Sequence, residues 1–204
     1  MAGKARSDER PAPLSLRERN RLRTRRELLD AALEVFAESG YGSATVENIA
    51  AQAGASKVTL YSYFPQGREE LFRELYEEIN TELIETTSAI YDAEGDFATR
   101  VLAVTEALLE IGRRPLVGRF YSIDDPALDQ ALNPVRGHAS RVIADHISAD
   151  LTAAGEAGVV TTSASPTAIA ELLVGAMGSA LSEVARARAT SCLLYTSPSP
   201  RDRS

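Results

Sequence analysis

From Leu22 to Val184 the apolar residues recur three and four positions apart, and each break in that rhythm carries a helix start or stop signal. No stretch alternates with period two for long enough to demand a strand, so the sequence reads as all-α. Leu22, Leu29, Leu33 and Phe36 mark the face of a first helix that begins near Ser15, and Ser39-Gly40-Tyr41-Gly42 stops it with glycine available for a left-handed cap. Thr45 can cap a short second helix, in which Val46, Ile49, Ala50 and Ala53 share a face, and Gly54 ends it. Ser56 caps a third short helix that runs to about Phe64 before Pro65-Gln66-Gly67 breaks the chain. Phe72, Leu75, Ile79, Leu83, Thr87 and Ile90 then keep one face apolar to about Tyr91, roughly 35 Å of helix.

Beyond Gly95 the same grammar repeats with different lengths. Asp96 caps a helix through Leu108 and Ile111, and Asp124-Asp125-Pro126 starts a short one. Asn133-Pro134 starts another, through Ile143 and Leu151 to Gly155, and Ser165-Pro166 opens the last, through Leu172, Met177, Leu181 and Val184 to about Arg188. Residues 1–15 have no period and read as a disordered arm.

Composition removes several classes of function. With 204 residues, 44% of them hydrophobic, the chain can bury a substantial core, which excludes disorder throughout. The single cysteine, Cys192, excludes an internal disulfide framework and a cysteine-based zinc site, and a cytoplasmic location is the expectation. The most apolar run, Leu172 to Leu181, lies between Glu171 and Glu183 and has about half the length a bilayer requires, so no membrane span is expected. No phosphate-cradling glycine loop and no serine elbow is present. His138 and His146 stand too far apart along one helix to share a metal ion without further ligands. The reading is therefore no enzyme, no cofactor and no metal.

The net charge of −7 conceals an asymmetry. Residues 1–68 carry 11 Lys and Arg against 8 Asp and Glu, while the remainder carries 11 against 21. A cationic first third on an acidic chain suits a polyanion partner, although an exposed helix pair shows the same pattern. Within that third, Ala50 is small where two helices can cross, Gly54 allows a tight turn four residues later, and Leu60 plugs the next helix into the core. That is the spacing of a helix-turn-helix. Around Leu60 stand Lys57, Val58, Thr59, Tyr61, Ser62 and Tyr63, one cation with hydroxyls and aromatics suited to phosphates and base edges.

Residues 17–72 resemble the DNA-binding domain of the TetR/AcrR family of transcriptional regulators. The resemblance is carried by Arg25-Arg26-Glu27-Leu28-Leu29-Asp30-Ala31-Ala32, Phe36-Ala37-Glu38-Ser39-Gly40-Tyr41, Thr45-Val46-Glu47-Asn48-Ile49-Ala50, Ala53-Gly54-Ala55-Ser56, Thr59-Leu60-Tyr61-Ser62-Tyr63-Phe64 and Arg68-Glu69-Glu70-Leu71-Phe72. Later in the chain only the helical layout and Arg113-Arg114-Pro115-Leu116 agree. One departure is Gly67, which stands where family members commonly place a lysine, with Arg68 one position later.

The resemblance implies an N-terminal three-helix helix-turn-helix domain at residues 16–67, followed by a helical ligand-binding and dimerisation domain at 68–191. Lys57 is read as donating to guanine O6 and N7, with a plain phosphate contact as the alternative, and Val58 as touching a thymine methyl. Thr24, Thr45, Ser56, Thr59, Tyr61, Ser62, Tyr63 and Arg68 are read as DNA-contacting, chiefly through phosphates, with capping the competing role of Thr45 and Ser56. Six arginines between Arg17 and Arg26 can track phosphates or form a solvated face. Tyr41, Phe64 and Phe72 are assigned to the core.

For the second domain the resemblance implies an apolar effector cavity. Its candidate residues are Leu83, Tyr91, Leu108, Phe120, Tyr121, His138 and Met177, each of which ordinary packing explains as well. It also implies pairing of the last helices with a second copy, through Leu172, Leu173, Ala176, Ala180, Leu181 and Val184 beside Gly175 and Gly178. The function so implied is a ligand-responsive regulator that binds double-stranded operator DNA as a homodimer, most simply a repressor released by a small molecule, with no membrane partner. The alternative is a helical-bundle interaction protein without sequence-specific DNA binding. From Cys192 the sequence Cys-Leu-Leu-Tyr-Thr-Ser-Pro-Ser-Pro-Arg-Asp resembles a translated sequencing adapter, so residues 192–204 are expected to be an unstructured artefact and the natural chain longer.

Overall fold

The computed structural model describes residues 14–195 except 122, 124, 133, 134 and 136, with backbone alone at 129–131 and 188–195. Its described elements are helices: α1 Leu16–Ser43, α2 Val46–Gln52, α3 Lys57–Tyr63, α4 Arg68–Asp92, α5 Phe97–Arg113, α6 Pro115–Tyr121, α7 Ala127–Leu132, α8 His138–Glu156 and α9 Pro166–Tyr195. The all-α reading is correct.

Local chemistry fixes the starts of most of these helices. Ser15 and Glu18 form a reciprocal capping box, the serine backbone N–H donating to Glu18 Oε2 at 2.8 Å. Thr45 accepts from the Asn48 N–H, Ser56 from the Thr59 N–H and Asp96 from the Thr99 N–H, so each satisfies a backbone donor that the helix leaves orphaned. The chain leaves helical geometry at Gly40, whose φ of 74° only glycine adopts without strain, and turns toward α2.

Three sequence expectations need correction. The helix expected to start at Asn133-Pro134 starts at His138, because Gly137 is left-handed (φ 77°) and a right-handed helix can only follow it. A short helix, α6, occupies Pro115–Tyr121, where none was read. The last helix continues beyond Arg188 and through Cys192–Tyr195, so the unstructured tail expected from Cys192 does not begin there; no helix breaker intervenes before Ser197-Pro198. The rest of that tail, and residues 1–13 of the expected arm, lie outside the described residues. By length and composition Pro166–Ala187 of α9, longer than the apolar run between Glu171 and Glu183, is a weak candidate for a membrane span, and Ala170, Met177, Leu181 and Ala185 within it are buried. Its inner face packs on α5, α6 and α8, as a bundle helix does.

The head is α1, α2, α3 and the start of α4. Phe36, Tyr41 and Phe72 form its aromatic centre, with Phe36 and Phe72 edge to face at 5.0 Å. From there α4 runs into a bundle with α5, α8 and α9. A second link joins the two parts: α6 packs on α1 as well as on α9, and the Phe120 ring stacks on Phe72 at 4.3 Å between centroids. The corner that turns α5 into α6 is tightly closed. A Cβ on Gly118 would collide with the Gly112 carbonyl, and one on Gly112 would meet Leu181 Cδ1 at 2.8 Å.

Candidate nucleic-acid interface and ligand cavity

The turn between α2 and α3 is built from small residues. Gly54 has a φ of 63°, the Ala55 N–H donates to the Ala50 carbonyl at 2.8 Å, and Ala50 itself is buried at the crossing. Leu60 and Phe64 are fully buried beneath α3, which fixes the rotation of the helix about its axis. Its opposite face is therefore presented to solvent, and Val58 is 81% exposed. An apolar side chain held that far from the core contributes nothing to folding. Tyr61 is exposed on the same helix.

Beside α3 lies an open cleft of about 780 Å³, lined by Arg17, Asn20, Arg21, Thr24, Ser62 and Tyr63. Thr24, Ser62 and Tyr63 were named from sequence; Asn20 was not. The Arg21 guanidinium sits 5.9 Å from the Tyr63 ring, a cation–π approach that orders both toward the cleft. Other arginines of α1 serve the fold. Arg25 is paired with Glu74 and stacks over Phe64, and Arg26 bridges Asp30 and Glu78 at 2.7 and 2.6 Å, tying α1 to α4.

Four further candidates have partners within the chain. Lys57 Nζ is 2.7 Å from Glu47 Oε1, and their mutual hydrogen bond raises the lysine pKa and lowers the carboxylate's. Ser56 and Thr59 share a hydroxyl hydrogen bond of 2.9 Å in addition to the cap. Arg68, the first residue of α4, donates through Nη1 to the carbonyls of Tyr41 and Ala44 at 3.1 and 2.9 Å and covers the Tyr41 ring. It thus closes the carbonyl end of α1. Gly67 before it has a φ of 63°, and a Cβ there would press on Tyr61 and Val46 at 3.2 Å, which accounts for glycine at this turn.

Within the bundle is a cavity of about 220 Å³, bounded among others by Tyr76, Asn80, Leu83, Leu108, Tyr121 and Leu181. Leu83, Leu108 and Tyr121 were expected there. Asn80 and Tyr76 were not, although their i, i+4 spacing beside Leu83 puts them on one helix face. Asn80 Nδ2 donates to the Tyr76 carbonyl at 2.8 Å, and the Tyr121 hydroxyl donates to Asn80 Oδ1 at 2.7 Å. Burial pushes the Tyr121 pKa far up, so its hydroxyl stays protonated and a donor. His138 lines a neighbouring pocket of about 320 Å³ with Glu77, Asn80 and Arg141.

The remaining cavity candidates pack elsewhere. Phe120 points into the head, Met177 is buried core, and Tyr91 stacks on His146 at 4.9 Å near the Arg100–Asp150 ion pair. On α9, Leu172 is 73% exposed and Gly175 has open space above it, whereas Gly178 and Leu181 border the cavity. Among the described residues no group of three or more His, Cys, Asp or Glu is placed to hold a metal ion.

A helix-turn-helix head mounted on a helical bundle is the architecture of a DNA-binding transcription regulator. Residues 28–75 match the family described as "Bacterial regulatory proteins, tetR family", so the head of this chain carries that family's domain. It is 41% identical over 59 residues to the fatty acid metabolism regulator protein of Bacillus subtilis (strain 168), a stretch covering 29% of this chain and 30% of that relative. The chain spans less than half the length of the curated relatives it matches. Among solved structures, a TetR-family transcriptional regulator from Pectobacterium atrosepticum is 25% identical with a TM-score of 0.59, covering 89% of this chain and 95% of that one. The fatty acid degradation regulator FadR from Bacillus halodurans is 18% identical with a TM-score of 0.68, covering 83% and 86%, and shares the fold.

Proposed function

We propose that this protein is a sequence-specific DNA-binding regulator whose hold on its operator is released by a small molecule bound in the helical bundle. The observation that carries the reading is the outer face of α3, where Lys57, Val58 and Tyr61 stand exposed on a helix whose other face is fully anchored. A helix so presented can enter a major groove, with Lys57 at a guanine edge and Val58 against a thymine methyl. Thr24, Ser62 and Tyr63, with Arg17 and Arg21 in the adjoining cleft, are suited to the phosphates, and Thr45, Ser56 and Thr59 hold the frame through their caps.

In this reading two copies pair through α8 and α9, which sets the spacing of the two heads. An effector that prefers one arrangement of α4 and α6 changes that spacing and frees the DNA. Repression follows most simply, since the effector then removes a bound obstacle.

A gel-shift against the DNA upstream of the protein's own gene tests the reading. Specific retention that weakens steeply with salt is the expected result. Retention indifferent to sequence would favour a bundle that serves as an interaction module.

A further inference from the structure

If the bundle houses an effector, as the proposed function has it, the walls of the 220 Å³ cavity limit what that effector can be. No described residue lining it is charged. An ionised group placed there would give up its hydration without meeting a counter-ion. The volume also lies below the roughly 300–1,000 Å³ of sites for drug-sized ligands, yet apolar cavities of about 150 Å³ already hold a benzene ring.

The polar lining of the cavity is neutral throughout: Asn80, Tyr76 and Tyr121, with Ser140 and Ser182 besides, and Ser182 already donates to the Gly178 carbonyl at 3.0 Å. Asn80 uses one amide N–H on the Tyr76 carbonyl and accepts from Tyr121 through Oδ1. Its second N–H and the lone pairs of the Tyr121 hydroxyl are the capacity that this bonded pair leaves over. These two groups stand together among Leu83, Leu108 and Leu181, so a ligand can satisfy them with one oxygen and bury the rest of itself against hydrocarbon.

We propose that the cavity takes a small uncharged ligand, apolar over most of its surface and carrying one hydrogen-bonding oxygen, such as an alcohol, ketone or ester, and that the Asn80–Tyr121 pair reads that oxygen. The competing occupant is an amphiphilic acid with its tail in the cavity and its head in the adjacent pocket, where His138 and Arg141 lie. Glu77 in that pocket sets a negative charge against such a head. Reading through Tyr121 also gives the ligand a route to the DNA-binding head. Tyr121 and Phe120 are consecutive on α6, and Phe120 stacks on Phe72, so a ligand that draws Tyr121 away from Asn80 shifts a ring in the head's core.

The full chain is titrated by calorimetry and ligand-observed NMR with 1-phenylethanol, acetophenone and toluene, with phenylacetate and phenethylamine as charged counterparts, and with palmitoyl-CoA. The expected result is that the alcohol and ketone bind at least about ten-fold tighter than either charged probe or the acyl-CoA. Tyr121→Phe, which keeps the ring, and Asn80→Leu should both erase the preference for 1-phenylethanol over toluene while toluene affinity stays within about two-fold. Arg141→Ala should change none of these. The proposal is overturned if no probe binds, if phenylacetate or palmitoyl-CoA binds as tightly as the alcohol, or if Tyr121→Phe leaves the preference intact. Because binding is read without DNA, retained probe binding in a protein that fails every gel-shift would support the proposal and remove only the regulator reading.

Discussion

Lys57 Nζ lies 2.7 Å from Glu47 Oε1, so the first cation of the recognition helix is held by a carboxylate of the helix before it. DNA must compete with that carboxylate for the lysine. Lys57→Ala should weaken operator binding about ten- to a hundred-fold and relax sequence preference at one position if the lysine reads a base. Glu47→Gln should strengthen binding to all sequences, since it releases the lysine and removes a charge that repels phosphate. Tyr63→Phe should weaken specific and unspecific binding alike. Gel-shifts across a salt series separate these outcomes, and parental affinity in both Lys57→Ala and Tyr63→Phe would sink the recognition-helix assignment.

Arg68 was expected at a phosphate, and its hydrogen bonds run instead to the backbone at the end of α1. Arg68→Ala should therefore lower the stability of the free protein by about 1.5–3 kcal/mol, because it strips charge-assisted bonds from two carbonyls. Arg68→Lys should restore it only in part, since an ammonium has no planar face to lay over the Tyr41 ring. Thermal unfolding without DNA is the measurement. Unchanged stability with reduced DNA affinity would return Arg68 to the phosphates.

Tyr91 makes the protein's response to alkali testable. Burial, assisted by the nearby Asp150 carboxylate, pushes its pKa up to about 12, and its buried hydroxyl has no hydrogen-bond partner. The unfolded chain ionises this phenol near pH 10 while the folded chain keeps it neutral, so the folded state binds more protons between pH 10 and 12 and stability falls as pH rises through that window. The loss traceable to Tyr91 is at most about 2–3 kcal/mol. Tyr91→Phe should remove that share of the decline and cost little at neutral pH, because it deletes an unsatisfied group. Urea unfolding of both proteins at pH 7 and pH 11 decides the matter.

Leu172 tests the proposed pairing of two copies. It is 73% exposed on α9, one turn from Gly175, which has open space above it. Leu172→Glu should shift the protein from dimer to monomer in sedimentation and reduce operator affinity with it, since one head alone contacts half a site. An unaltered sedimentation profile would place the subunit contact elsewhere.

What the sequence revealed and what it withheld divide along the range of the forces involved. The caps at Ser15, Thr45, Ser56 and Asp96 were legible or half-legible because a cap is made by atoms three residues apart. The core roles of Tyr41, Phe64 and Phe72 followed from helical period. The seven-residue helix α6 was not read, since so short a helix owes its existence to what it packs on rather than to its own propensities. The Asn80–Tyr121 bond spans 41 positions, and the Lys57–Glu47 pair and the carbonyl targets of Arg68 likewise depend on how separate helices meet. Of the cavity candidates, Leu83, Leu108 and Tyr121 border the cavity of the bundle, while Phe120, one residue from Tyr121, turns the other way into the head.

The glycine corner between α5 and α6 gives this protein a genetic weak point outside its DNA-reading face. One methyl group at position 118 would meet the carbonyl of Gly112 and force α6 to stand off. The helix that stands off is the one carrying Tyr121 and Phe120 side by side. A variant of that kind should still read DNA and still hold a ligand, yet no longer connect the two events. A screen for regulators deaf to their inducer should therefore recover Gly112 and Gly118 replacements as readily as changes in the cavity wall.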